Sequence, residues 1–324
     1  MKFHRPIMLK EVVELLDPPE DAVCVDGTVG GGGHARALSE RLGERGLLIG
    51  IDRDGEALEF TKEVLRGLRC GVQLIRGDWR DLDRHLDALG IEAVDAILLD
   101  LGVSSHQLDT PERGFSYHHP DVALDMRMDR DAQFSAAHVI NEYPEERLTQ
   151  IIREYGEERW ASRIAQFIAE RRPLQNVGEL VDAIKDAIPA SARRTGPHPA
   201  RRTFQALRME VNRELEGFEE GLIAALRRLR VGGRMAVISF HSLEDRPVKR
   251  LFRYLSKDCR CPPDLPLCAC GGAVARDLTP RPRTASSEEL EVNPRAAAAK
   301  LRALEIIASA EEVLAERGGA KEWR

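Results

Sequence analysis

Short β-branched runs alternate with helical patterns through the first hundred residues, the signature of βαβ units on a parallel sheet. The runs Ala22–Asp26, Leu47–Asp52, Val72–Arg76 and Val94–Leu99 are predicted strands; His34–Leu42 and Asp54–Leu65 between them are predicted helices. Beyond Leu99 the strand signal disappears. A loop rich in Gly, Pro, His and Asp leads to helices expected at Glu145–Tyr155, Arg159–Glu170 and Val177–Ile188. Asn176 is placed to cap the last of these, whose apolar stripe is Val177, Leu180, Val181, Ile184 and Ile188. A long helix is expected from Arg202 to Leu229, with Phe204, Leu207, Val211, Leu215, Phe218, Leu222 and Leu226 at helical spacing and Gly232-Gly233 as its stop. Strand character returns at Arg234–Phe240, and the tail after Val292 reads as a helix that frays. The pattern implies a sheet domain of residues 1–108 and 222–324, interrupted by a helical insertion over 109–221.

Composition refines this picture modestly. A chain of 324 residues, 43% of them hydrophobic, can bury a sizeable core. Its N-terminus lacks the apolar segment of a signal peptide, and no run approaches the roughly 18 apolar residues of a membrane span. A cytoplasmic protein with no membrane partner is expected. The net charge of −6 argues against a surface coated for nucleic acid, but the charge is unevenly spread. From Ala190 to Met209 the chain carries five arginines, Arg193, Arg194, Arg201, Arg202 and Arg208, and no acid. Such a run is either a solvated face or a phosphate-binding surface.

The first predicted strand ends in Asp26, and GTVGGGGH follows it directly into a helix. Glycines at such a turn let backbone N–H groups approach a ligand closely, in dinucleotide sites and in S-adenosylmethionine sites alike. Asp26 separates the two. A carboxylate there would face the pyrophosphate of a dinucleotide, whereas S-adenosylmethionine brings an ammonium and a sulfonium. Asp52, about 20 residues past the glycines at the tip of the second strand, is suited to a ribose diol. Trp79, after the third strand, offers a plane for adenine or simply packs in the core. Asp100 ends the fourth strand, where side chains project into the crevice of an open parallel sheet; a buried structural aspartate is the alternative.

The motifs around these residues resemble one family nearly end to end. They include DGTVGGGGH (Asp26–His34), IDRD (Ile51–Asp54), LLDLGVSSHQLD (Leu98–Asp109), RGFS (Arg113–Ser116) and LDMRMD (Leu124–Asp129). YGEERWASRIA (Tyr155–Ala165), HPARRTFQALRMEVNREL (His198–Leu215), VISFHSLEDRPVK (Val237–Lys249) and NPRAAAAKLR (Asn293–Arg302) continue the series, with His4 in HRP at the start. In these motifs the chain resembles the RsmH (MraW) family, which methylates the exocyclic N4 of a cytidine in the decoding centre of 16S ribosomal RNA. The resemblance implies a class I S-adenosylmethionine methyltransferase: an α/β Rossmann-like sheet with an inserted all-helical domain that recognises RNA. It further implies that Gly32, Gly33, His34, Asp52, Trp79, Asp100 and Gln107 contact S-adenosylmethionine, with 16S rRNA in the small subunit as partner. Departures are small: Trp79 stands where relatives often carry Phe, Arg201 where Thr is commoner, and AAAAK where ARSAK is usual.

The residues also bear on the chemistry without the family. An acceptor such as Asp100, holding the hydrogens of an aromatic amine, would favour its nucleophilic pyramidal form. Attack at C5 of the base would require a cysteine nucleophile, and neither LDLGVSSHQLD nor FHSLED contains one. The chain equally lacks the Asp/Asn-Pro-Pro-aromatic tetrapeptide of many amino-methyltransferases. His241, leaving the fifth strand on the same edge, either lines the substrate cleft or tethers its own loop. A small-molecule methyltransferase would not need the arginine-rich face, and a non-catalytic binding module would not need an intact glycine loop with Asp52 and Asp100. Finally, Cys259, Cys261, Cys268 and Cys270 form C-x-C-x6-C-x-C. That spacing departs from the C-x2-4-C of structural zinc sites; reduced thiols and a metal clip both remain open, and no metal is assigned.

Overall fold

The computed structural model describes residues 6–194, 196–261, 270–310 and 314. Contacts divide the chain into two units: Met1–Gly102 with Gly217–Arg324, and Val103–Glu216. The first unit is built on strands β1 (Val23–Asp26), β2 (Leu47–Asp52), β3 (Gly71–Arg76), β4 (Val94–Asp100), β5 (Leu229–Ser239), β6 (Ala275–Asp277) and β7 (Lys300–Ile306). Their order is β3-β2-β1-β4-β5-β7-β6. Strands β1 to β5 pair in parallel, while β7 runs antiparallel to β5 and β6. This is the α/β, Rossmann-like sheet expected.

Alternation along the central strands divides their side chains between two cores. Val25, Ile97, Leu99, Met235 and Val237 face one side, with Leu82, Leu222, Val248 and Leu251 from helices Leu82–Ala88, Phe218–Arg227 and Ser242–Leu255. Cys24, Ala96, Leu98, Ala236 and Ile238 face the other, with Val12, Leu38 and Leu58 from helices Leu9–Leu16, Gly33–Ser39 and Gly55–Val64. Strands buried on both faces read as continuous apolar runs, which explains why VDAILLD lacks polar alternation.

The second unit is helical, its core drawn from Ala136–Glu142, Glu145–Glu154, Ala161–Glu170, Val177–Ala187 and Arg201–Val211. Asn176 caps Val177–Ala187 as expected, its Oδ1 accepting the N–H of Glu179 at 2.9 Å. Val177, Leu180, Val181, Ile184 and Ile188 are all buried.

Three expectations are corrected. The helix expected over Arg202–Leu229 is two, Arg201–Val211 and Phe218–Arg227. Arg213 and Gly217 take left-handed backbone between them, and the Asn212 side chain holds the Met126 carbonyl and the Met128 N–H. The apolar period ran through because Phe204 and Leu207 serve the core of one unit, Phe218 and Leu222 that of the other. Gly232-Gly233 does not stop a helix but lies inside β5, where pairing jumps from Val94↔Leu229 to Ala96↔Arg234. From Pro294 to Ile306 the tail is not a helix either: a turn of 3-10 helix, Pro294–Ala298, precedes β7. Burial on both sides of the sheet, with Leu301 and Ala303 on one and Leu304 and Ile306 on the other, overrides the helical preference of its alanines and leucines.

Candidate active site

The strand order reverses between β1 and β4, and the crevice beyond their carboxyl ends is where an open α/β sheet binds ligands. Register sets Asp26 opposite Leu98, so the ends of β1 and β4 bring Asp26 and Asp100 to the same edge. The loop between β1 and helix Gly33–Ser39 is stitched to its neighbours by these acids. Asp26 Oδ1 accepts the N–H of Thr28 (3.2 Å), and Thr28 Oγ1 accepts the N–H of Asp100 (2.6 Å). At the tip of β2, Asp52 accepts from Gly30 N at 2.8 Å and Asp54 N at 2.9 Å, one bond per oxygen. Asp54 is occupied elsewhere as the cap of helix Gly55–Val64. The loop needs glycine for close approach: a Cβ on Gly27 would lie 2.6 Å from Leu99 Cδ2, and Gly32 has φ +76°.

Three carboxyls are thus gathered at one edge, and burial raises the pKa of each. Asp26 is pushed up to about 7, by burial and then by the charge of Asp52. Asp52 is pushed up to about 6 by burial, against the backbone N–H groups of Asp54, Gly30 and Arg53. Asp100 is pushed up to about 8 by burial and by the charges of Asp26 and Glu244. Asp100 Oδ1 is enclosed and has no hydrogen-bond partner among the described residues. A set of buried acids with an unpaired oxygen suits a cationic ligand, which would draw them into their charged forms.

His34 is buried and neutral, its pKa lowered by burial to about 4. Its Nε2 lies 2.9 Å from the Ile7 carbonyl, which only accepts, so Nε2 carries the proton. The Nδ1 lone pair is left 3.6 Å from Asp100 Oδ2. Trp79 packs edge-on to Phe218 with centroids 5.5 Å apart, half-buried against one core. Next to it, burial pushes Asp78 up, but its bonds to Arg80 and the charge of Arg53 hold it below the ordinary value. Gln107 belongs to the helical unit, where it and Ser104 form a capping box at the start of Ser105–Asp109.

The turn after β5 carries His241 and a residue that sequence reasoning passed over, Glu244. Glu244 is buried; its Oε2 accepts the Phe240 N–H at 2.9 Å, and its Oε1 lies 3.2 Å from His241 Nε2. Neither ring nitrogen of His241 makes an aligned hydrogen bond among the described residues. The signal for Glu244 was a Glu three residues after the start of a helix, where an acid reaches back to free N–H groups. Asp245 beside it is held by Arg302 Nε at 2.6 Å and Lys300 Nζ at 3.3 Å, both from β7.

The arginines divide into two kinds. Arg208 is locked in a two-pronged pair with Glu214, both bonds 2.7 Å, and Arg202 reaches the Glu157 carbonyl at 3.2 Å. Arg193, Arg194 and Arg201 are exposed, and so is Arg202. In the RGFS segment, Arg113 is buried and donates to the carbonyls of Arg127 and Met128. His4 and Cys268 lie outside the described residues.

The raised carboxyls fix the sign of a pH effect. Their pKa values stand above the ordinary 3.8, so the stability they allow the free protein is full at low pH and lost as pH rises through about 6 to 8. A cationic ligand reverses this by expelling protons. Affinity for a sulfonium-bearing nucleoside is expected to strengthen from pH 6 to 8, up to ~10-fold per pH unit for each proton released. Titration calorimetry in buffers of different ionisation enthalpy counts those protons; pH-independent affinity with no proton release would refute the arrangement.

Comparison with known proteins identifies the family. The family model described as "MraW methylase family" matches residues 1–307. The chain is similar to "Ribosomal RNA small subunit methyltransferase H" of Symbiobacterium thermophilum, 52% identical over 96% of this chain and 99% of the relative. The protein of that name from Clostridioides difficile is 47% identical over 95% of this chain and 100% of the relative. Among solved structures, an rRNA methylase from Streptococcus thermophilus covers 92% of this chain and 93% of its own at 14% identity, with a TM-score of 0.39. No described helix is long and apolar enough to cross a membrane.

Proposed function

Because the chain belongs to the MraW methylase family, we propose that this methyltransferase moves the methyl group of S-adenosylmethionine to the exocyclic N4 of a cytidine in the decoding centre of 16S rRNA, within the small ribosomal subunit. The observation that carries this reading is the trio Asp26, Asp52 and Asp100 around a glycine loop, all three with carboxyls raised in pKa by burial. The names of the relatives, which specify small-subunit ribosomal RNA, support the substrate.

When bound, S-adenosylmethionine supplies an electrophilic methyl on a sulfonium. Asp26 and Asp100 are placed to meet positive charge, Asp52 to accept from the ribose diol beside the Gly30 N–H it already holds, and the Trp79 side to receive adenine. Drawn into its charged form by the ligand, Asp100 accepts the N4–H of the cytosine through Oδ1 and turns the amine lone pair toward the methyl. Much of the acceleration then comes from positioning, worth ~7–11 kcal/mol when the reacting atoms are aligned. Strong basicity is unnecessary, because the methylated ammonium is itself acidic. The base must leave its stack to reach this crevice, and Phe240 and His241, following β5, are the side chains this reading assigns to receive its face. The helical unit, with Arg193, Arg194 and Arg201 exposed, supplies cations for phosphate. In this reading Arg208 and Arg202 chiefly hold the unit together.

The test is methyl transfer from labelled S-adenosylmethionine to small subunits lacking the modification, followed by nucleoside analysis. N4-methylcytidine is expected. Label in C5-methylcytidine would overturn the target atom, and cofactor binding without labelled ribosomal RNA would overturn the substrate.

A further inference from the structure

Remote in sequence from the methyl-transfer motifs, the chain leaves helix Ser242–Leu255, makes an excursion and returns at Val274, whose N–H meets the Leu255 carbonyl at 3.0 Å. Two cysteines, Cys259 and Cys261, stand on the outgoing arm and Cys270 on the returning one. Their three sulfurs all lie within 4.8 Å of one another. We propose that Cys259, Cys261 and Cys270 bind a structural zinc ion that clips the base of this excursion.

Three features favour a metal over ordinary thiols. Tetrahedral zinc with Zn–S bonds of about 2.3 Å sets its sulfurs roughly 3.8 Å apart, so small side-chain movements bring these three into place. A disulfide between two of these three described sulfurs would leave the third beside it, whereas one metal ion takes all three. The polar surroundings also suit thiolate. The N–H of Arg260 points at Cys270 Sγ at 3.1 Å, a bond that favours negative sulfur. The Arg260 guanidinium is held at the site by the Cys270 carbonyl (2.9 Å) and the face of Tyr254 (5.7 Å). Three thiolates and one Zn²⁺ carry a net single negative charge, which that guanidinium offsets; each thiol loses its proton to solvent as it binds. The short C-x-C arm differs from the usual C-x2-4-C knuckle, but Cys270 arrives from the far side of the excursion, so the clip does not depend on two adjacent knuckles. Closing a loop at its base also restricts the unfolded chain, so the ion would stabilise the fold.

The experiment is elemental analysis of the purified, desalted full-length chain by plasma mass spectrometry. Roughly one zinc per chain is expected, falling to near zero in Cys261→Ser and in Cys270→Ser. Should those variants fail to fold, the parent decides. Cobalt(II) exchanged into it should give the intense near-ultraviolet absorption of sulfur-to-cobalt charge transfer. Alkylation mapped by mass spectrometry should show Cys259, Cys261 and Cys270 protected until a chelator is added. Folded parent protein without zinc or another transition metal, or with these thiols freely alkylated or paired in a disulfide, would overturn the proposal.

Discussion

Replacing Asp100 by asparagine is expected to lower methyl transfer by ~10²–10⁴-fold, the range for losing a positioned acid–base group, with S-adenosylmethionine still bound. The substitution keeps the shape of the side chain. It also keeps the backbone, since the N–H of residue 100 stays on Thr28 Oγ1. What it removes is the negative charge and one acceptor, leaving an amide that presents an N–H or a weaker carbonyl to the amine. The parent's kcat/KM for S-adenosylmethionine should rise with pH toward about 8, the value at which the free carboxyl ionises, and the variant should lose that dependence. The same change should stabilise the unliganded protein at pH 8, because it abolishes a buried charge repelled by Asp26 and Glu244. Near-parental turnover in a folded Asp100→Asn variant would remove Asp100 from the chemistry. Lower thermal stability at pH 8 would mean instead that the carboxyl is a structural anchor.

What the chain discloses by inspection, and what it hides, follows from the range of the interactions. Asp26, Asp52 and Asp100 stand out because each ends an apolar run, and a polar residue at the tip of a buried strand has nowhere to project but the crevice. Their raised pKa values are not visible in sequence, because they depend on which strands lie side by side: Asp26 feels Asp52, and Asp100 feels Asp26. The break at 212–217 is hidden for a similar reason. A continuous 3.6-residue period signals one helix only if all its apolar residues serve one core, and here they serve two. In β7, local preference favours helix, and only pairing of Leu301 with Ile238 across the sheet makes LRALEI a strand. The cysteine cluster depends on chain returning from elsewhere, so spacing alone understates it.

The residue of β7 whose loss should cost most stability is Arg302. It is buried with Asp245, its Nε at 2.6 Å from Oδ1 and its Nη2 at 3.3 Å from Oδ2. Burial pushes Asp245 up, but the bonds from Arg302 and the charge of Lys300 hold it below the ordinary carboxylate value. That depression stabilises the fold above the unfolded carboxyl's pKa and is lost as pH falls through the folded one. Arg302→Met should cost ~3–5 kcal/mol, because it leaves a buried carboxylate behind rather than merely deleting an attraction. Lys300 remains within 3.3 Å and should hold the loss toward the lower end. The double variant Asp245→Ala/Arg302→Met should recover much of it, since no charge is then stranded. Urea unfolding at neutral pH measures both, and the gap between single and double variants should close in acid, where Asp245 is protonated in every form. The pair also ties the first turn of helix Ser242–Leu255 to β7, next to Glu244 and His241. The single variant should therefore lose turnover well below its unfolding range, while the double recovers stability but not full rate. If Arg302→Met costs under ~1 kcal/mol, Lys300 alone satisfies Asp245, and β7 holds the helix by its apolar faces rather than by charge.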